Sequence, residues 1–232
     1  MFAAAIFDMD GLLIDSERPL MAAWIEAALT LDIALSHSQY LQVVGLAHPE
    51  SRRILASLLG GEQAYDHAVG HVRSRLQLER SDGAPLFPIK SGAAEFLAAL
   101  HARGTRCAVA SSSTRGQIQA CLGSLGLLHH FSAFAGGDEV VRAKPDPALY
   151  LLAAERLGVD PADCIAFEDS ENGTKAALAA GMRVVVVPDL KHPPAAIAER
   201  AFHVLGSLHD AVPHLPRWFP TAEAAGAAEK LV

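Results

Sequence analysis

Two carboxylates stand one residue apart, Asp8 and Asp10, at the end of a short apolar run and directly before Gly11 in FAAAIFDMDGLLIDSE. Facing a divalent cation and a phosphate ester, one such carboxylate can attack phosphorus while the other serves as general acid and then base. Gly11 would let the backbone turn sharply beside them. An Asp-x-Asp pair alone equally describes a strand ending in solvated acids, so the rest of the chain must supply what the chemistry lacks. An EF-hand loop matches poorly, because DMDGLLID has no third acidic position before its Gly.

Three further segments carry complementary groups. Ser111-Ser112-Ser113 follows an apolar run, Lys144-Pro145 follows another, and Glu168-Asp169-Ser170 ends a third. Hydroxyls and backbone donors at Ser111 and Ser112 suit phosphate oxygens, a lysine neutralises charge, and a further acid completes an oxygen-rich magnesium site. Each segment alone reads as a turn, a solvated loop or a helix start. In this order, and at these strand ends, they read together as phosphate chemistry.

The elements that must position these groups follow from periodicity. The opening run, too short for a helix, fits a central strand buried on both faces, whose carboxyl end is where open α/β sheets bind ligands. After Asp15 the pattern is helical: Arg18 to Leu31, Ser36 to Val44 with Ser36 as N-cap, Glu50 to Leu59, and Glu62 to Leu78. From about Ser81 a turn-rich stretch leads into alternating elements. These are helix Ala93 to Arg103, strand Arg106 to Ala110, helix Arg115 to Leu125, strand Ala133 to Ala135 and helix Pro147 to Leu157. Strand Cys164 to Phe167, helix Gly173 to Ala180 and strand Arg183 to Val187 complete the series, with an edge helix at Ser207 to Val212. The expected fold is α/β: a Rossmann-like parallel sheet in residues 1–15 and 82–232, interrupted by a small helical cap at 16–81. Two crossings, near Leu13 to Glu17 and Ser81 to Pro88, could act as hinges.

Composition narrows the function classes. A chain of 232 residues with 51% hydrophobic content can build one ordinary core and a small second unit. Its net charge of −7 and scattered Lys and Arg argue against nucleic acid as a partner. No uncharged run approaches membrane-spanning length, and the apolar N-terminus lacks a basic region and meets acids by position 8, unlike a signal peptide. Cys107, Cys121 and Cys164 suggest neither a disulfide framework nor a zinc site, so a reducing cytoplasm is the expected location.

The motifs FDMDGLLIDSE, AVASSST (108–114), AKPDPALY (143–150) and CIAFEDSENGTKAALAAGM (164–182) together resemble the haloacid dehalogenase-like hydrolase superfamily, in its branch with a helical cap. The resemblance runs from Phe2 to about Asp210. It implies that Asp8 forms an aspartyl-phosphate and that Asp10 protonates the leaving oxygen and then activates water. It implies that Ser111 and Lys144 hold the transferring phosphoryl group with Ser112 nearby, and that magnesium is bound by Asp8, Asp10 through its carbonyl, Asp169, and Glu168 directly or through water. An acid at position 10 favours phosphoryl transfer over dehalogenation, because the dehalogenating members lack one there.

The substrate implied is a small phosphorylated metabolite, with Gly45, Leu46, His48 and Arg52 as expected cap contacts. A β-phosphoglucomutase-like sugar phosphomutase is the alternative, since it uses the same core with a second phosphate held at the cap. The cap has Arg18, Arg52, Arg53, Arg73, Arg75 and Arg80 to offer. GLAHPESRRIL (45–55) departs from the mutase branch, presenting His48 where that branch has an arginine, which favours a phosphatase. A non-catalytic magnesium- or phosphate-binding regulator is the third reading, and the intact acids and Lys144 argue against it. His67 and His71 read as a solvated helix face, and the sequence leaves the oligomeric state open.

Overall fold

The computed structural model describes residues 1–46, 48–81 and 86–220, with 77–81 as backbone only. Six parallel strands form one sheet in the order β3-β2-β1-β4-β5-β6. They are β1 (Ala4–Phe7), β2 (Arg106–Ser111), β3 (Ala133–Gly136), β4 (Cys164–Glu168), β5 (Arg183–Val186) and β6 (His203–Val204). The strand order reverses at β1, which pairs with β2 on one side and β4 on the other. Such a switch point opens a crevice at the carboxyl ends of the strands.

Side-chain alternation along each strand explains why these apolar runs are continuous. Ala5, Phe7, Val109, Ile165, Phe167 and Val185 enter one core, while Ala4, Ile6, Ala108, Ala110, Cys164, Ala166, Val184 and Val186 enter the other, on the opposite face. Phe7 stacks on Phe167 at 4.8 Å between ring centroids. The first face is covered by α5 (Ala93–Ala102) and α6 (Arg115–Ser124), the second by α7 (Ala148–Leu157) and α8 (Glu171–Ala179). All crossovers join parallel strands, and the one from β3 to β4 passes over β2 and β1 to the other side of the sheet.

Four helices lie between β1 and α5: α1 (Glu17–Leu29), α2 (His37–Tyr40), α3 (His48–Leu58) and α4 (Glu62–Ser81). They build their own apolar cluster around Ala27, Ala28, Leu55, Leu59 and Ala68, with Trp24 against Tyr65 at 5.5 Å. Ser36 caps α2 through a reciprocal capping box with Gln39. The helix it starts lasts a single turn, because residues 41–45 continue as turns rather than to the expected end at Val44.

The two crossings to this helical unit run beside each other. The amide of Asp15 donates to the Pro88 carbonyl at 2.8 Å, and that of Lys90 to the Leu13 carbonyl at 2.9 Å. Residues 82–85 of the second crossing lie outside the described residues, as does the Ala-rich tail from 221. Beyond β5 come α9 (Ala195–Ala198), the short edge strand β6, and, in place of the expected helix Ser207 to Val212, a 3-10 helix His209–His214 running into α10 (Leu215–Trp218). Among the described residues no helix is long and apolar enough to cross a membrane.

Candidate active site

The carboxyl ends of β1, β2 and β4, with the segment after β3, converge on one cavity of about 620 Å³. Its floor holds Asp8, Asp10, Ser112, Lys144 and Asp169, and its other walls include Val44, Gly45, Leu46, His48 and Glu50 from the cap side. The size suits a small metabolite.

Asp8 is the first residue past β1, where its amide still donates to the Phe167 carbonyl of β4 at 3.0 Å. The chain then turns tightly. The Met9 carbonyl accepts from the amides of Leu13 and Ile14, and Gly11 sits at φ +86°. A side chain at Gly11 would collide with the Asp169 carboxylate, so the glycine is required for space as well as for its left-handed conformation.

Lys144 reaches into this acid cluster from the segment between β3 and α7. Its Nζ donates to Asp8 Oδ1 at 2.5 Å and to Glu168 Oε1 at 2.6 Å, and all three side chains are at least nine-tenths buried. Burial works against the ammonium, but Asp8 and Glu168 more than offset it and hold its pKa above the ordinary range. Burial pushes the Asp8 carboxyl up to about 8, with Lys144 opposing and Glu168 and Asp10 reinforcing the shift. Burial likewise raises Asp169 well above a normal carboxylate, with the charges of Glu168 and Asp8 adding to it.

Glu168, expected to serve the metal site directly or through water, is held by protein donors. Its Oε1 accepts from Lys144 and, at 2.6 Å, from the hydroxyl of Tyr150 on α7. Its Oε2 accepts from the amides of Asp169 and Ser170 and from the Ser170 hydroxyl. Burial would raise its pKa, yet Lys144 and these donors bring it below normal. Both oxygens are therefore spent on protein donors, and the side chain braces the lysine from behind.

Asp10 turns Oδ2 toward the end of β2, where it accepts from Ser113 Oγ at 3.1 Å and Ser111 Oγ at 3.4 Å. Burial raises its pKa, and these hydroxyls partly offset the rise. Ser111 is fully buried and also accepts from the Ser113 amide, while Ser112 lines the cavity. The direct partner Ser113 was not singled out in the sequence, although it belongs to the same triple-serine segment.

From the helical unit, Gly45, Leu46 and His48 line the cavity. Arg52 does not. Its guanidinium pairs with Glu62 at 2.7 Å and Asp66 at 3.1 Å and lies over the Tyr65 ring, because α3 and α4 pack together and turn it to the outer face. Arg18 is also committed, to Asp15 and Asp189, and the Arg80 side chain lies outside the described residues. Glu17, Asn172, Asp189 and Lys191 also line the cavity, and nothing in their sequence spacing marks them for it. The Glu17 carboxyl is pushed up to about 7 by burial and by the charges of Asp10, Asp189 and Asp15.

Carboxylate oxygens are the donor type a divalent cation takes, although among the described residues no three His, Cys, Asp or Glu side chains are gathered in a metal-holding arrangement. Asp8, Asp10 and Asp169 line the floor of the cavity beside the Lys144 amine. Asp169 accepts no hydrogen bond from a described group, and the missing side chain of Gly11 leaves its carboxylate room. Oxygen donors of this kind suit magnesium.

Known proteins share this chain's sequence pattern and fold. A family model described as haloacid dehalogenase-like hydrolase matches residues 2–181. Hexitol phosphatase B of Escherichia coli K12 is 35% identical over 191 residues, covering 80% of this chain and 83% of that protein. Fructose-1-phosphate phosphatase YqaB of the same organism is 33% identical over 193 residues, covering 80% and 96%. A crystal structure of a HAD family hydrolase from Deinococcus radiodurans R1, with bound phosphate and sodium, superposes with a TM-score of 0.77 at 28% identity, covering 95% of this chain and 98% of that one. With its switch-point acids, its lysine and a match across more than three quarters of its length, the chain belongs to the haloacid dehalogenase-like hydrolase family.

Proposed function

We propose that this protein is a magnesium-dependent phosphatase that hydrolyses small phosphomonoesters, sugar phosphates above all, through an aspartyl-phosphate on Asp8. The observation that carries the reading is Asp8 at the switch point, held at 2.5 Å from the Lys144 amine and facing a cavity that Asp10 and Asp169 also line. The relatives named for hexitol and fructose 1-phosphate hydrolysis support the substrate class. The three cysteines are free, in keeping with a reducing cytoplasm. We divide the chain into a core, 1–15 and 82–232, and a cap, 16–81, a division supported by the separate apolar cluster of the four helices.

In this mechanism a carboxylate oxygen of Asp8 attacks phosphorus, and the ester P–O bond breaks as Asp10 gives its proton to the leaving oxygen. Burial raises the pKa of Asp10, which suits it to carry that proton. Asp10 then takes a proton from water as the water oxygen attacks phosphorus, and the bond from phosphorus to Asp8 breaks to release inorganic phosphate. Lys144 balances charge on Asp8 and the phosphoryl oxygens, with Ser111 and Ser112 beside them. Asp8, the Asp10 carbonyl and Asp169 would hold magnesium, which supplies charge neutralisation between nucleophile and phosphate. Glu168 serves that centre by fixing Lys144. Splitting the reaction in two spreads a barrier that is very high for phosphate monoesters.

The commitment of Arg52 to Glu62 and Asp66 does not favour a second phosphate held at the cap, as a mutase would need. The test is inorganic phosphate release from hexitol, hexose, pentose and glycolate phosphates and a hexose bisphosphate, with and without magnesium, for wild type and Asp8→Asn. Release that requires magnesium and vanishes in the folded variant is expected. Isomerisation of a sugar phosphate without phosphate release would replace this reading with the mutase.

A further inference from the structure

The cap side of the cavity is closed by the turn after α2, and the core grips that turn by its backbone. Asn172 Nδ2 donates to the Gly45 carbonyl at 2.9 Å, and Lys191 Nζ donates to the Val44 carbonyl at 3.3 Å. The two donors come from separate parts of the core. Asn172 is the second residue of α8, three positions beyond Asp169, and Lys191 lies in the segment after β5. Within the turn, the Leu46 amide bonds only locally, to the Val43 carbonyl at 3.2 Å. Gly45 sits at φ +77°, and a side chain there would stand 3.7 Å from Ser170 Cβ, which shows how near the turn comes to the start of α8.

Neither donor touches the acid cluster around Lys144, and successive carbonyls are held from two walls of one cavity. We propose that Asn172 and Lys191 are positioning residues that clamp the Val44–Leu46 turn over the cavity and thereby set how well the enzyme distinguishes a bulky polyol leaving group from a small activated one. This proposal rests on the phosphatase reading above. The phosphoryl group is bound by the floor, so only the leaving group can draw binding energy from the turn. Asn172 also ties the turn to the helix that follows Asp169 directly, so cap position and the candidate metal site share one element.

The test uses the full chain with magnesium, as wild type, Asn172→Ala, Lys191→Met and the double variant. Values of kcat and KM are measured for sorbitol 6-phosphate and for p-nitrophenyl phosphate. Loss of one net hydrogen bond should lower the ratio of kcat/KM, polyol ester over aryl ester, about fivefold in Asn172→Ala. Hydrogen exchange at the amides of Gly45 and Leu46 should quicken by a similar factor in the same variant, without any substrate. An unchanged ratio, or equal losses on both esters, would overturn the proposal, and so would unchanged exchange. Should the wild type hydrolyse neither ester, the phosphatase reading falls. The exchange measurement then decides the clamp by itself, faster exchange supporting it and unchanged exchange removing it.

Discussion

Replacing Lys144 with methionine keeps most of the buried stem and deletes the charge, which makes it a direct probe of how the acid cluster is held together. The amine bonds Asp8 at 2.5 Å and Glu168 at 2.6 Å, and the Glu168 side chain is wholly buried. Removing one partner of such a pair leaves a buried charge unmatched and costs about 3–5 kcal/mol. Glu168 would keep the Tyr150 hydroxyl, two amides and the Ser170 hydroxyl, so the lower end, about 3 kcal/mol, is expected. That is a large share of a stability of about 5–15 kcal/mol. For a chain of this size it corresponds to a melting temperature roughly 6–12 °C lower. The measurement is thermal unfolding in chelator, so that no cation substitutes for the amine. Adding Glu168→Gln to the Lys144→Met background removes the stranded charge and should return more than half of the loss. A single variant that melts within about 2 °C of wild type, set against that expected shift, would refute the reasoning.

Two other substitutions check distinct parts of the account. Gly173→Ala should destabilise the protein even though alanine is the better helix former, because the added methyl would collide with the Glu168 carboxylate. Crowding a packed interior costs about 1–3 kcal/mol, so a net loss of about 1–2 kcal/mol is expected and is read as a melting temperature lowered by roughly 2–8 °C. Glu139 is held down to about 2, chiefly by the two hydrogen bonds from Arg156. A depressed carboxylate contributes stability above its unfolded pKa near 4.5 and loses that contribution as pH falls toward 2. Glu139→Gln should therefore lower the urea midpoint by the equivalent of about 1 kcal/mol at pH 7, the scale of a solvent-screened pair. The gap to wild type should narrow between pH 5 and pH 3, and a constant gap would show that the ion pair is not its source.

Much of the site was legible because sheet chemistry is local in sequence. An apolar run of four to six residues followed by polar groups already says that those groups stand at a strand end: β1 ends at Phe7, directly before Asp8, and β2 and β4 each run one residue beyond the expected Ala110 and Phe167, to Ser111 and Glu168. The edge strand β6 was missed because two residues, half-exposed, carry no period to read. The single turn of α2 was overestimated because its capping box marks where a helix starts and says nothing of where packing stops it.

The sequence alone determined the chemical inventory and its order along the chain: two acids, a serine cluster, a lysine and a further acid pair, each after an apolar run. Tertiary structure decided which of these side chains meet and in what direction they point. It gave Glu168 to Lys144 and Tyr150, turned Arg52 outward to Glu62 and Asp66, and brought Asn172 and Lys191 onto a turn more than 120 residues away. The physical reason is that hydrophobic periodicity fixes which face of an element is buried. The direction of a polar side chain, by contrast, is set by whichever distant donor or charge packing delivers beside it.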